Sequence, residues 1–411
     1  MLKASVLYLV IVVSLLIGLI SASLLTLAFF YKREAQKSSR MEKLNGNLNA
    51  VRAILLSKDL IAADTVMTLD LYGEGKDSVV YSKQRWGLVE LSYAKAFVRG
   101  DTLKQVFLSS VPFTDPSAIY LADEDRPLSL SGNTEITGDG QIPKAGLKQA
   151  YVDGKGYAGK ELLKGKIKDS SRTLPELDQK LIDELCAYFK EEGEKLSLRD
   201  SVGNSFYNEA KRYKLSVSQS KLEQQKFYGK LVLISDTVLK IGAAVKLEDV
   251  LVFAPSIMVE DGFKGNCQLF ARDSIVIGKN CVFEYPSFAG VFKPAEKKLQ
   301  SLVKLGENTR FAGILCSYEN KRSELQTRIA LAKGCLVKGQ IYAKGYIQME
   351  KGVTVQGKVY ATRFIMKTPS TLYENYLIDI SLNRRALSKY YLGSALFKEN
   401  NSGSEILKWL H

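Results

Sequence analysis

Histidine is all but missing from this 411-residue chain: the single one, His411, stands at the extreme end after Trp409. Imidazole is the side chain whose ordinary pKa suits general-base work near neutrality. Its scarcity removes Ser–His and Cys–His nucleophilic pairs and histidine metal sites; no metal, cofactor or catalytic residue is expected. Cysteine is sparse too, at Cys186, Cys267, Cys281, Cys316 and Cys335. An odd count disfavours a full disulfide framework without excluding export. Charge is wholly absent from Ala4 to Tyr31, a run dominated by Leu, Ile, Val, Ala and Ser.

As a helix that uncharged run rises about 40 Å, more than the ~30 Å hydrocarbon layer of a bilayer. It is too long for a signal-peptide core and has no convincing cleavage site, which predicts a retained single transmembrane helix. Met41, Leu44, Leu48, Val51 and Leu55 follow at spacings of 3 and 4, so the helix should continue as an amphipathic stalk to about residue 60. Asn45, Gly46 and Asn47 mark a candidate kink. Orientation signals conflict. Lys32, Arg33, Lys37 and Arg40 follow the span and favour a cytoplasmic bulk, whereas a three-residue head with only Lys3 has the look of an export anchor.

The C-terminal half carries a repeat. Six stretches share one template: IGAAVKLED from Ile241, VEDGFKGNC from Val259, IGKNCVFEY from Ile277, LGENTRFAG from Leu305, LAKGCLVKG from Leu331 and MEKGVTVQG from Met349. Successive starts lie 18, 18, 28, 26 and 18 residues apart. Fixed-period self-similarity marks a solenoid, in which a unit hides its apolar face only by stacking on its neighbours. Two places before each start stand Leu239, Ile257, Ile275, Val303, Ile329 and Ile347. Six places after stand Leu247, Gly265, Phe283, Phe311, Val337 and Val355, and ten after stand Leu251, Leu269, Leu315, Ile341 and Val359. Apolar residues two apart face the same way in a strand. Three such pairs per unit predict three short strands around a triangular coil, a parallel β-helix. The column at plus three, with Ala244, Gly262, Asn280, Asn308, Gly334 and Gly352, and the one at plus eight, with Gly313, Gly339 and Gly357, should be its corners.

Two units are over-long by residues that fall in FKPAEKKLQS (Phe292–Ser301) and SYENKRSELQ (Ser317–Gln326). Such surplus leaves a solenoid as loops, either solvated or lining a binding face. LSGNTEITG from Leu130 repeats the template, so the β-helix should begin before residue 130. A helical insertion then interrupts it: Thr173 and Glu176 have capping-box spacing, and Leu174, Leu177, Leu181, Leu185 and Tyr188 form one apolar stripe. Residues 64–125 alternate apolar and polar and predict an antiparallel meander. The stretch from Tyr373 to Trp409 is expected to cap the solenoid end.

The expected organisation is therefore mainly β, with a single N-terminal transmembrane helix and stalk over 1–60, a small antiparallel β region over 61–125 and a first β-helix segment over 126–169. A helical insertion over 170–228, β-helix coils over 229–370 and a strand-rich cap over 371–411 complete it.

The stacked coils with Gly corners, over about residues 230–365, resemble bactofilins, bacterial cytoskeletal β-helix proteins that form polymers. The anchor running into an amphipathic helix and a β-rich head, over about residues 1–125, resembles type IV pilin-like and minor pilin architecture. The chain lacks the Gly before the anchor and the Glu just inside it that pilins use for processing and assembly. The positions zero to plus four also fit the hexapeptide pattern of acyltransferases, but on only one side of each coil. Those enzymes use a histidine base, which this chain lacks outside His411.

Polysaccharide lyases and hydrolases built on β-helices need carboxylates or basic residues clustered on one side of adjacent coils. The plus-two column holds Asp261, Lys279, Glu307, Lys333 and Lys351, a ladder of partly alternating sign with cross-strand pairing. The formal charge of +14 is dispersed. Its densest stretch, Lys144, Lys148, Lys155, Lys160, Lys164, Lys166 and Lys168, could face acidic glycans or lipid headgroups, or simply keep a surface solvated. No nucleic-acid module is recognisable.

The resemblances together imply a non-enzymatic, single-pass protein of the bacterial inner membrane, its bulk periplasmic or alternatively cytoplasmic. It would act as a scaffold or filament-assembly component of the envelope, with the lipid bilayer and protein partners or copies of itself as its contacts. The alternative is a β-helical enzyme or binding protein acting on envelope polysaccharide.

Overall fold

The computed structural model describes all residues except 1–3, 61, 72, 74, 76, 99, 197–200, 296–297, 369–370, 399–402 and 411. Lys3 and His411 thus lie outside the described residues. The chain divides into two compact units, Met1–Gln84 with Ser92–Phe107, and Arg85–Leu91 with Leu108–His411.

The first unit opens with helix α1, Ala4–Leu56. It is long and apolar enough to cross a membrane, and none of its apolar stretch is buried. The helix runs without a break through Asn45, Gly46 and Asn47. Four residues of its following stripe, Leu44, Leu48, Val51 and Leu55, are buried, and tertiary burial of such a stripe outweighs a weak local propensity. Arg40 Nε lies 2.5 Å from Asp101 Oδ2, tying the same stretch to the sheet. Strands β1 (Ala63–Leu69), β2 (Asp77–Trp86), β3 (Val89–Val98) and β4 (Asp101–Ser110) are neighbours in sequence order, with β1 antiparallel to β2. The antiparallel region is shorter than expected, since Ser117–Leu121 already belongs to parallel pairing.

In the second unit, parallel strands close on themselves. The minus-two column aligns as the repeat demands: Leu239 lies opposite Ile257, Ile257 opposite Ile275, Ile275 opposite Val303, Val303 opposite Ile329, and Ile329 opposite Ile347. All six are 0% exposed, and each fully buried aliphatic contributes roughly 1.5–3 kcal/mol. A second ladder pairs Phe227 with Leu247 and continues through Phe283, Phe311, Val337 and Val355. The third runs through Leu269, Ala289, Leu315, Ile341 and Val359. Here the expectation needs one correction: Val252, not Leu251, pairs with Leu269. Asp249 adopts a φ of 59° and the register slips beside it, so one extra residue turns Leu251 outward, as a β-bulge does. At the plus-three corner Gly262, Asn280, Asn308, Gly334 and Gly352 take positive φ, as expected, whereas Ala244 does not.

The order of stacking differs from the order of the chain. Residues 117–137 do not precede the coils that begin near 229. They lie beyond the last repeat, with Val359, Tyr360 and Ala361 pairing with Ile119, Tyr120 and Leu121. Leu377 pairs with Leu130, and Leu382 with Ile136. Residues 139–164 then form the outermost complete coil, Gly140 pairing with Ile119 on one side and on the other with Ile167, where a further turn starts. Residues 372–383 are therefore an internal part of the stack and not its cap. The final strand, Glu405–Leu410, lies elsewhere, with Lys408 Nζ 2.7 Å from Asp249 Oδ2 near the first coils.

The predicted helical insertion is helical only in part, and short strands follow the helix. Helix α2 covers only Gln179–Ala187 and is capped by Asp178, not by Thr173. Residues 201–229 are short strands that start the stack at its other end, Val202 pairing with Phe227 and Tyr213 with Leu233. The chain thus leaves one end of the stack at residue 169, returns along its side and begins again at the opposite end.

Candidate functional site

The returning segment is held by a column of side chains that point outward from one ladder. Phe253, Phe270, Gly290, Cys316, Tyr342, Tyr360 and Tyr120 stand in register on successive strands. Phe253 stacks on Phe270 at 4.5 Å and Tyr120 on Tyr360 at 6.2 Å. The return runs down this column. Tyr120 Oη donates to Thr173 O at 3.0 Å, Tyr342 Oη to Pro175 O at 3.0 Å and Tyr318 Oη to Gln179 Oε1 at 2.7 Å. Lower down, Tyr188 stacks on Phe253 at 4.9 Å, and Leu174, Leu177, Leu181 and Leu185 are buried. The apolar stripe of the insertion therefore packs on the stack, as its spacing predicts. The strands beneath are apolar on both faces, which is why FAGVF, ILC and IYA read as continuous runs. That was the signal for a covered outer face.

Between the return and the coils lies a cleft of about 510 Å³. The insertion Ser317–Gln326 supplies one wall with Tyr318, Glu319 and Arg322; the return supplies Arg172 and Glu176; Lys344 and Lys398 complete it. Glu319 is 2% exposed. Its Oε2 accepts from Ser323 Oγ at 2.6 Å and lies 3.9 Å from Lys293 Nζ, which itself donates to Ser323 Oγ and to Leu325 O. Both surplus segments thus meet in one buried polar knot, since Lys293 comes from the first and Glu319 from the second. Glu319 Oε1 has no hydrogen-bond partner. Lys344 Nζ donates to Asn320 O at 3.1 Å and sits 4.6 Å over the Tyr318 ring. Desolvation lowers its pKa, against the opposing pull of Glu319 and Glu176. The other cations share carboxylates: Arg322 with Glu124 at 3.0 Å, Arg172 with Asp125 at 3.1 Å and Lys398 with Glu176 at 3.3 Å.

The lysine stretch singled out in the sequence lies on the outermost coil, but not on one face. Lys148 is on the ladder of Leu128, Lys164 bridges to Thr137, and Lys168 pairs with Gln141 on the third side. Lys155 is bonded to Asp379 at 2.7 Å and Lys164 to Glu135 at 2.5 Å. The Glu135 hydrogen bond raises the Lys164 pKa. Lys144, Lys148, Lys160, Lys166 and Lys168 are exposed around that coil. Lysines on an open strand edge also discourage edge-to-edge pairing. The plus-two ladder pairs as expected where Lys279 meets Glu307 at 3.0 Å. Cys281 and Cys335 are free, in one column with Thr309 between them. Among the described residues no cluster of three or more His, Cys, Asp or Glu could hold a metal ion. No protein-family model, curated protein or solved structure matches the chain.

Proposed function

We propose that this chain is a membrane-tethered scaffold of the bacterial cell envelope, in which α1 is a single-pass anchor and the closed parallel stack is a rigid β-helix solenoid. The observation that carries this reading is the continuity of α1. One helix joins an apolar, exposed span to turns whose Leu44, Leu48, Val51 and Leu55 are buried. A helix anchored at both levels resists pivoting where a flexible linker would not. The stack supports a structural role because its inward columns form one continuous core from Ala118 to Leu382, and each coil depends on its neighbours. Its partners are the bilayer and proteins or copies of itself in an envelope assembly, and the bulk is placed in the periplasm.

Alkaline carbonate extraction of membranes should leave the full chain in the pellet; release into the supernatant would end the anchor reading. Orientation is read with Lys148→Cys, an exposed position on the outermost coil. Native Cys267, Cys281, Cys316 and Cys335 are buried and give little background, and half-exposed Cys186 is replaced by serine. Labelling by an impermeant maleimide from the outer side supports the periplasmic placement. Labelling only after the inner membrane is breached supports the cytoplasmic one, which Lys32, Arg33 and Lys37 favour.

A further inference from the structure

We infer that the turns of α1 just past its apolar span are a docking surface for anionic phospholipid headgroups, which steady the stalk on the leaflet it leaves. This rests on the anchor reading and names the lipid class that the anchor meets. Exposed Tyr8 and Tyr31 bracket the span and lie 23 residues apart. Tyrosine favours the interface between bilayer and water, and a helix of that length rises about 34 Å, enough to carry one interface to the other. Tyr31 therefore marks the edge of the hydrocarbon, and Lys32 and Arg33 fall directly among the headgroups. Lys37 stands about 9 Å beyond Tyr31 along the axis, within reach once its stem bends back toward the interface.

The pattern on the helix separates these cations from an ordinary charged surface. Arg33, Lys37 and Arg40 stand at spacings of 4 and 3 and run on into Leu44, Leu48, Val51 and Leu55, the stripe that is buried in the folded unit. Residues three and four apart share a helix face, so all three cations lie on the side that this unit occupies. Arg40 is already engaged: its Nε meets Asp101 Oδ2 at 2.5 Å, and Asp101 opens β4. One to two turns nearer the bilayer, Arg33 and Lys37 are exposed on that face with Lys32 beside them, and none of the three is in an ion pair among the described residues. Glu34 is the only acid between Tyr31 and Met41. Because α1 is unbroken from span to stalk, no linker lets these cations swing away from the surface. They are held within a Debye length of it, where each gains from anionic lipid. An acidic protein would have to enter the headgroup layer to reach Arg33, whereas lipid headgroups already fill it.

The test reconstitutes the full chain in nanodiscs of equal parts phosphatidylglycerol and phosphatidylcholine and counts the retained lipids by native mass spectrometry. Phosphatidylglycerol should exceed phosphatidylcholine about fivefold among them, and the excess should shrink at high salt. Lys32→Gln, Arg33→Gln and Lys37→Gln combined should bring the two lipids near parity. Glu34→Gln should keep or raise the excess. Arg40→Gln, which removes a cation already engaged by Asp101, should leave it unchanged when circular dichroism shows the fold intact. Parity in the parent, or an undiminished excess in the triple variant, would overturn the assignment. So would a loss in Glu34→Gln or folded Arg40→Gln equal to that of the triple variant, because it would follow from disturbing the helix and not from the unpaired charges. Carbonate extraction keeps the two readings apart: release of the parent ends the anchor, whereas retention without lipid selectivity ends only this site.

Discussion

Replacing Gly339 by alanine should be among the most damaging single-methyl additions in the protein. Gly313, Gly339 and Gly357 are paired directly across three successive strands. Gly339 has a φ of +138°, a region open essentially to glycine alone, where any other residue costs about 1–3 kcal/mol. Its new Cβ would also overlap the Gly313 carbonyl oxygen and stand 2.6 Å from Tyr391 Oη. The first obstacle is backbone, so relief requires two coils to part and lengthens ladder hydrogen bonds worth about 1 kcal/mol each. The sum is a loss of about 3–5 kcal/mol, a large share of the 5–15 kcal/mol typical of a domain. Two control glycines isolate the causes. Gly262 has a φ of +82° with nothing within 4 Å of a built Cβ, so Gly262→Ala should cost only the backbone strain of about 1–2 kcal/mol. Gly46 lies in α1 with open space around it, and Gly46→Ala should stabilise by about 0.5–1 kcal/mol. Urea unfolding of the full chain in detergent, followed by far-UV circular dichroism and by Trp86 and Trp409 fluorescence, ranks the three. A Gly339→Ala midpoint equal to or above that of Gly262→Ala would refute the close stacking of glycine on glycine.

Two further outcomes follow from buried groups. Asp115 pairs with Lys358, whose side chain is 0% exposed. Burial by itself raises the Asp115 pKa, but the Lys358 charge and hydrogen bond override it and leave the carboxyl below its ordinary value. A depressed carboxyl contributes stability that is fully present above its unfolded pKa of about 3.9 and is lost as pH falls through the folded value. Asp115→Ala should therefore cost about 3–5 kcal/mol at pH 7, with the gap to the parent narrowing below about pH 4; a gap constant with pH in denaturant titrations would contradict the pairing. Thiol reactivity should be low throughout: burial raises Cys186 and Cys335 to about 11 and pushes Cys267, Cys281 and Cys316 upward too. At pH 8 a colorimetric disulfide reagent should find half-exposed Cys186 first and all five only in urea; rapid native modification of Cys267 or Cys316 would count against the packed coils.

The repeat made the inward face legible because burial in a strand has period two, and aliphatic columns such as Ile257, Ile275 and Ile329 repeat it faithfully. Corner glycines and asparagines were legible for the same reason, as few other residues adopt positive φ cheaply. Three things were not. The slip at Asp249 adds one residue without altering composition, so Leu251 took the place that belongs to Val252. Short strands such as Val202 and Tyr213 lack a long apolar run, and the stronger helical spacing of Leu177, Leu181 and Leu185 extended α2 well past its true nine residues. Stacking order is invisible locally: LSGNTEITG matches the template equally well at either end of a stack, and only pairing of Leu130 with Leu377 decides between them. The lysine stretch is clustered in sequence but distributed around a coil in space, which linear density cannot reveal.

That hidden order also explains why the cleft could not be read from any motif. Its walls come from residues 172–179, from 318–362 and from Lys398, segments that become neighbours only once the return lies along the aromatic column. The coils from 246 to 365 can stack through contacts of about one repeat, which are inexpensive in chain entropy. Closing Tyr120 onto Tyr360 instead joins residues some 240 positions apart, and this long-range step fixes Thr173 and Pro175 against Tyr120 and Tyr342. The cleft is therefore a property of the completed stack and not of any single repeat. Weakening that closure, for example by Tyr360→Ala, should speed proteolysis within the returning segment around residues 172–176 while the inward columns of residues 246–349 keep their parallel pairing. Loss of the whole stack in that variant, seen as collapse of the far-UV β signal, would mean instead that the returning segment is integral to the core from the outset.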